Sequence, residues 1–384
     1  MKPTLVHISS DYPDPLQPRK TKAVLNLVEG TPEFRHVVYS LNRYTAFGGI
    51  AALPFGEDRT ALAYGALPKG LLWGERLHAL AEWIIEDLIR KNIVPDIVEA
   101  HKFTIEGVIG LKVAQAFSCP LVCDIQGNTD GMVLNNKPGF RGIYRTIASR
   151  ASLVFPYAPW AIAPFADKVS LPANKCQVLP VIPEIDTLSP APVLGSSRLI
   201  SIFNLDLWKI KNLDGLARAI AKLAEQFPNI HLDIYGQGDA ENLVIAKKLI
   251  EKAGQQDRIT LKGPVQNNVL PQIMKGYDAF VMPTLHETYG LVYVESLFAG
   301  LPVLYSKGRS IDGYFNPQDI GYACDPESVA DIANGIAHLL THETALKQNI
   351  AQMQQHGAFD HLRKRPILET YRQGIGWVLS KKSN

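Results

Sequence analysis

The feature that most constrains this chain is a pattern that occurs twice. Short apolar runs alternate with amphipathic stretches across residues 4–156, and the same alternation restarts at 199–203, beyond a proline-rich segment. Apolar runs too short for helices, separated by stretches of helical periodicity, mark buried parallel strands joined by crossover helices. The fold class read from this is α/β with two doubly wound domains. A chain of 384 residues, 46% of them hydrophobic, is long enough to bury two cores.

In the first half, strands are expected at 4–8, 37–41, 96–100, 121–125 and 152–156, with a short last one at 177–179. Val24, Leu27 and Val28 mark the first helix, ending near Gly30. Trp73, Leu77, Leu80, Ile84 and Leu88 recur at helical spacing and read as a core stripe rather than a cofactor box. Residues 180–197, containing Pro183, Pro190 and Pro192, read as an interdomain linker. In the second half, strands are expected at 199–203, 230–235, 259–262, 279–282 and 303–305. Helices are expected between them at 214–226 and 240–253, and another ends at Gly300. The domains are therefore drawn at 1–190 and 197–360.

Charge narrows the function classes. Lys and Arg number 39 against 37 Asp and Glu, a formal charge of +2, so no general attraction to nucleic acid is expected. Cys119, Cys123, Cys176 and Cys324 lack paired spacing and read as buried thiols, with neither a disulfide framework nor a zinc site. No run approaches the roughly 18 apolar residues of a membrane span, and the N-terminus reaches a Pro-Asp-Pro turn before a signal core forms. The expected location is cytoplasmic, at most peripheral at the inner face of a membrane. Lys137, Arg141 and Arg145, at steps of four, read as a basic helix ridge that is either solvated or rests on anionic lipid.

The segment PTLHETYGLVYVESLFAGLP, residues 283–302, carries the chemistry. A strand ends at Pro283, a loop carries Glu287, and Gly290 opens a helix that Gly300 and Pro302 close. This order places free amides near Tyr289, Gly290 and Leu291 at a helix N-terminus, a site suited to a diphosphate. Glu295, about one turn into the helix, is placed to accept from a ribose diol. Two glutamates eight residues apart are common by chance, and it is the ordered context around Glu287 and Glu295 that gives the pair meaning.

At these residues the chain resembles the family-4 retaining glycosyltransferases of the GT-B fold, whose E-x7-E motif is matched by Glu287 and Glu295. Residues 258–265 resemble that family's base-binding strand and loop, ending at Val265, and residues 235–238, with Gly236, resemble its G-x-G turn. Residues 178–186 resemble the segment that closes its N-terminal domain, and the helix in 361–384 would pack back on that domain. The resemblance implies two Rossmann-like domains facing a central cleft, acceptor bound by the first and donor by the second. It implies that Glu295 holds the donor ribose, Glu287 contacts the sugar and Lys211 pairs with the phosphates. The family's arginine just before that lysine is missing here, where Lys209 is the nearest cation.

In the first domain the likeness is looser. The family's glycine pair after the first strand is replaced by a loop in which Lys20 and Thr21 either line the cleft or form an exposed basic turn. His101, at a strand end, resembles a cleft histidine, and Gln126 stands where the family has a second histidine that contacts the sugar. A glutamine hydrogen-bonds a hydroxyl but takes up no proton.

The resemblance implies retaining transfer of a hexosyl group from a UDP- or GDP-sugar to a glycan or lipid-linked acceptor, in surface polysaccharide assembly. No cofactor beyond the nucleotide-sugar substrate is expected, and no metal site. Two rival readings stay open: a nucleotide-sugar epimerase on the same architecture, and a degenerate transferase that binds nucleotide or glycan without turnover.

Overall fold

The computed structural model describes residues 2–45, 48–65 and 73–382. It divides into two compact units. Met1–Tyr157, Ala161–Ile182 and Arg365–Asn384 form unit 1, and Ala158–Trp160 with Pro183–Lys364 form unit 2.

Unit 1 is built on strands β1 (Thr4–Ser9), β2 (Arg35–Tyr44), β3 (Ile50–Pro54), β4 (Arg59–Gly65), β5 (Ile97–Ala100), β6 (Leu121–Ile125) and β7 (Ala151–Pro156). Their order is β3-β4-β2-β1-β5-β6-β7, parallel except for the β3–β4 pair. Helix Trp73–Arg90 buries Trp73, Leu77, Leu80, Ile84 and Leu88, the stripe read from the sequence. The last helix, Lys364–Lys382, belongs to this unit. Its Ile367, Leu368, Tyr371, Ile375 and Val378 pack with Leu5, Ile97, Phe155 and Leu179 in one apolar cluster. Helical spacing puts those five side chains on one face, which holds this 19-residue helix to the unit.

Two expectations in this unit are corrected, and one hairpin is added to them. Residues 177–179 form no strand; a single bridge at Cys176 and two backbone hydrogen bonds, from Gln177 and Leu179, run beside β7 before Pro180 ends the pairing. The hairpin β3–β4 was not anticipated, because its outer strand is exposed and lacks a strong apolar signal. The basic ridge does not exist as one helix face. Lys137 sits at the end of helix Asn128–Asn136 with φ −123° and ψ 60°, and Pro138 starts a separate turn before helix Arg141–Arg150. A residue before proline avoids the helical region, so the steps of four in sequence are not steps of four on one helix.

Unit 2 contains β8 (Arg198–Ile202), β9 (His231–Tyr235), β10 (Ile259–Gly263), β11 (Ala279–Val281), β12 (Val303–Ser306) and β13 (Gly321–Cys324). All pair in parallel in the order β10-β9-β8-β11-β12-β13. This is the doubly wound order in which the sheet grows one way from β8 and then the other way from β11. Helices Leu213–Leu223 and Val329–Thr341 bury one apolar face each, the former with Leu213, Leu216, Ile220 and Leu223. Among the described residues no helix is long and apolar enough to cross a membrane.

Candidate functional site

Open parallel sheets bind ligands outside the carboxyl ends of the strands, where the strand order reverses. In unit 2 that point lies between β8 and β11. The loop after β8 carries Lys209 and Lys211; the loop after β11 carries Glu287. The two loops are stitched together by their own backbone. The Ile210 carbonyl accepts from Leu285 N–H at 2.8 Å and from Thr284 Oγ1 at 3.0 Å. Asn212, in the left-handed region at φ 60°, donates its amide to the carbonyls of Pro283 (3.0 Å) and Pro326 (2.7 Å). Lys211 Nζ is thereby held 2.5 Å from Glu287 Oε2, with both side chains about 15% exposed. Lys209 is not brought to this pair; it is exposed and borders a groove with Trp208, Asn212 and Arg218.

Gly236 locks the next two loops. Its φ is 153°, and a Cβ there would lie 1.8 Å from the Phe203 carbonyl oxygen just past β8. Its N–H donates to the Gly263 carbonyl at the end of β10, at 2.9 Å. Only glycine lets one residue touch both neighbours. Val265 follows two residues later, half-buried.

Helix Leu291–Phe298 begins at Gly290, which has φ 73° and whose absent Cβ would meet the Tyr293 ring at 2.6 Å. The first-turn amides of a helix have no preceding carbonyls to pair with, so this end offers donors and a positive dipole beside Lys211 and Glu287. Tyr289 contributes backbone here; its ring is buried edge-on to Tyr314 with centroids 6.0 Å apart. Glu295 is half-buried, and among the described residues its carboxylate has no hydrogen-bond or ion-pair partner. Burial, reinforced by the nearby Glu184 carboxylate, pushes it up to about 7. A carboxyl kept from water without a partner is costly, and a ligand donating two hydroxyls would relieve it.

In unit 1 the structure places His101 deeper than its strand-end position implied. It is fully buried, and both ring nitrogens are engaged: Nδ1 lies 2.6 Å from Asp124 Oδ2 and Nε2 lies 3.0 Å from His7 Nδ1. Burial lowers its pKa, but the Asp124 and Glu99 carboxylates outweigh that and raise it to about 9. Gln126 is buried and donates to Tyr157 Oη at 3.4 Å, and Tyr157 Oη donates to Asp124 at 3.3 Å. Lys20 is pinned inside the unit, donating to Asp14 Oδ2 and Ser40 Oγ, both at 2.9 Å. His7 and Glu99 were missed by sequence reading. The signal was present, since each is a titratable residue interrupting an apolar central strand (Leu5-Val6-His7-Ile8 and Ile97-Val98-Glu99-Ala100).

Residues 189–356 match the family described as glycosyl transferases group 1. Over 94 residues, 24% of this chain, it is 37% identical to the GtfA subunit of the UDP-N-acetylglucosamine–peptide N-acetylglucosaminyltransferase of Streptococcus gordonii, and the match covers 18% of that protein. It is 24% identical to the D-inositol 3-phosphate glycosyltransferase of Pseudarthrobacter chlorophenolicus over 71% of this chain and 69% of that one. Among solved structures, sucrose-phosphate synthase from Thermosynechococcus elongatus superimposes with a TM-score of 0.74 at 16% identity, over 98% of this chain and 100% of that one. Two Rossmann-like units and this match define the class, a GT-B fold. The chain thus has the GT-B fold, and its residues 189–356 match the group 1 glycosyl transferases.

Proposed function

We propose that this chain is an active retaining glycosyltransferase of the family-4 type that transfers a hexosyl group from a UDP- or GDP-sugar to a glycan or lipid-linked acceptor. The observation that carries the reading is the convergence of Lys211, Glu287 and the Leu291–Phe298 N-terminus at the strand-order reversal of unit 2, with Glu295 behind them. In the proposed complex the diphosphate faces Lys211 and the amides of Gly290 and Leu291, the ribose donates to Glu295, and the base lies against the turn at Gly236 and Val265. As the glycosidic bond breaks, negative charge grows on the diphosphate; Lys211 and the helix dipole stabilise it there. Glu287 then turns from Lys211 to the sugar. In unit 1, Gln126 offers a side-chain amide suited to a hydroxyl ligand, whereas His101, engaged at both nitrogens, acts as a positioning residue through Asp124. The UDP named for the streptococcal relative supports a uridine donor.

The test is a thermal-shift screen of UDP- and GDP-sugars, followed by NMR of the product's anomeric centre. A ligand at 100 times its Kd stabilises by about 2.7 kcal/mol, readily seen as a shift in Tm. No shift with any nucleoside diphosphate or its sugars would refute the donor site; an inverted product would refute retention.

A further inference from the structure

We propose that His36, His7 and His101 hold one excess proton among them, resting on His101 as a buried imidazolium, and that this charge positions the Gln126 amide through Asp124 and Tyr157. The three rings form one hydrogen-bonded chain across unit 1, from β2 through β1 to the residue that follows β5. His36 Nδ1 lies 2.8 Å from His7 Nε2, and His7 Nδ1 lies 3.0 Å from His101 Nε2. The His7 and His101 rings have centroids 5.3 Å apart and planes 15° from parallel, so they meet in line, nitrogen to nitrogen, as an N–H···N hydrogen bond requires. His7, His101 and Asp124 are fully buried, and His36 is half-buried.

Both ends of this chain face acceptors. His36 Nε2 lies 2.8 Å from the Thr31 carbonyl and 3.2 Å from Thr31 Oγ1, whose own proton goes to the Leu27 carbonyl, so this nitrogen carries a proton. At the other end His101 Nδ1 lies 2.6 Å from Asp124 Oδ2. That same oxygen accepts from Tyr157 Oη at 3.3 Å, and Tyr157 Oη accepts from Gln126 Nε2 at 3.4 Å. An oxygen that accepts from Tyr157 is unprotonated, so His101 Nδ1 is the donor. Each of the two contacts between rings needs one proton of its own. The rings therefore carry four protons over these four contacts, whereas three neutral imidazoles carry three. The count holds whichever ring bears the extra one.

Charge decides where it rests. Burial opposes a cation at His101, but the Asp124 and Glu99 carboxylates outweigh burial, and Glu106 at the start of helix Glu106–Ala116 adds to them. Burial prevails at His7, which is lowered to about 4 although Glu99 Oε2 lies 3.3 Å from its Nδ1, and burial lowers His36 as well. The other titratable groups here, Tyr157, Tyr371 on the last helix and the Cys123 thiol, are pushed well up by burial and stay neutral. An imidazolium at His101 keeps Asp124 ionised, Asp124 holds the Tyr157 proton, and Tyr157 turns its lone pair to Gln126 Nε2. The Gln126 carbonyl oxygen is left pointing away from Tyr157, as an acceptor. The functional weight of that orientation rests on the proposed contact of Gln126 with a ligand hydroxyl; the proton count does not.

The experiment is nitrogen-15 NMR of the full chain labelled in its histidine and glutamine side chains, with no nucleotide or sugar present. At pH 7 His101 should show two protonated nitrogens and His7 and His36 one each, with a coupling across the hydrogen bond between His101 Nε2 and His7 Nδ1. As His101 loses its proton near pH 9, the Gln126 side-chain amide signal, assigned by its loss in Gln126→Ala, should move with the same midpoint. His36→Leu removes the far acceptor, so His101 should deprotonate at lower pH than in the parent. His36→Asn, whose amide oxygen replaces Nδ1 as acceptor, should restore the parent midpoint. A His101 ring with one protonated nitrogen at pH 7 would overturn the excess proton, and the parent spectrum alone decides this even where a variant fails to fold. A Gln126 signal unmoved through the His101 titration, or one midpoint shared by parent, His36→Leu and His36→Asn, would overturn the relay. Since no donor is in the sample, failure of the donor reading leaves each of these outcomes in place.

Discussion

Lys211 Nζ and Glu287 Oε2 form a 2.5 Å ion pair that joins the loops after β8 and β11. In the proposed complex one group meets the donor phosphates and the other its sugar, whereas here they satisfy each other. Donor binding must exchange this pair for two contacts with the ligand. Partly exposed ion pairs contribute only about 0–1 kcal/mol, so the exchange opposes binding weakly.

Glu287→Gln therefore releases Lys211 without harming the nucleotide site. UDP affinity should stay within about threefold of the parent, or tighten, while turnover falls roughly 100-fold through loss of the sugar contact. Calorimetry and steady-state kinetics on the same preparation check this; a large loss of UDP affinity would place Glu287 on the phosphates instead.

Lys211→Ala should behave oppositely. Losing a charge-assisted contact to the diphosphate costs about 1.5–3 kcal/mol, roughly 10- to 150-fold in Kd. Because the proposed contact of the lysine is to the phosphates, the nucleoside alone should bind parent and variant equally well in competition assays.

Glu295 sets a pH dependence. Its pKa is raised to about 7 by burial, then by Glu184, and a ribose diol favours the ionised form. UDP binding near pH 7 should thus release a proton from this carboxyl, and the release should vanish in Glu295→Gln, read by calorimetry in buffers of different ionisation enthalpy. For stability the sign is the reverse of an ordinary paired carboxylate. The folded state holds its proton more tightly than the unfolded chain, so its contribution is full below the unfolded value of about 4.5 and is lost as pH rises through about 7. Glu295→Gln should raise Tm more at pH 8 than at pH 5.

Donor chemistry supplied by Lys211 and a helix N-terminus calls for no metal at the phosphates. Transfer should persist in EDTA; loss of activity that Mg²⁺ or Mn²⁺ restores would contradict this.

Much of this was legible in the chain. The two α/β series followed from apolar run length, and the Glu287–Glu295 segment announced its strand-loop-helix turn through Pro283, Gly290 and Gly300. What periodicity could not show were features decided by tertiary pairing. The exposed β3 draws its hydrogen bonds from β4 and carries no strong local signal. Lys137, Arg141 and Arg145 kept a helical spacing that Pro138 interrupts. His101 read as a strand-end residue, yet its partners His7 and Asp124 come from β1 and β6, and no local pattern predicts a contact 94 residues away.

The central claim, that unit 2 holds a nucleotide with its ribose on Glu295, is tested most directly by titrating UDP and 2′-deoxy-UDP against the parent and Glu295→Ala. Loss of a carboxylate that accepts from both hydroxyls should cost about 2–4 kcal/mol, roughly 30- to 1,000-fold in UDP affinity. The parent should bind the deoxy nucleotide weakly, and Glu295→Ala should bind both nucleotides almost equally, because the partner missing from the protein no longer distinguishes them. If Glu295→Ala discriminates against 2′-deoxy-UDP as strongly as the parent does, Glu295 does not hold the ribose and the donor orientation argued from this fold is wrong.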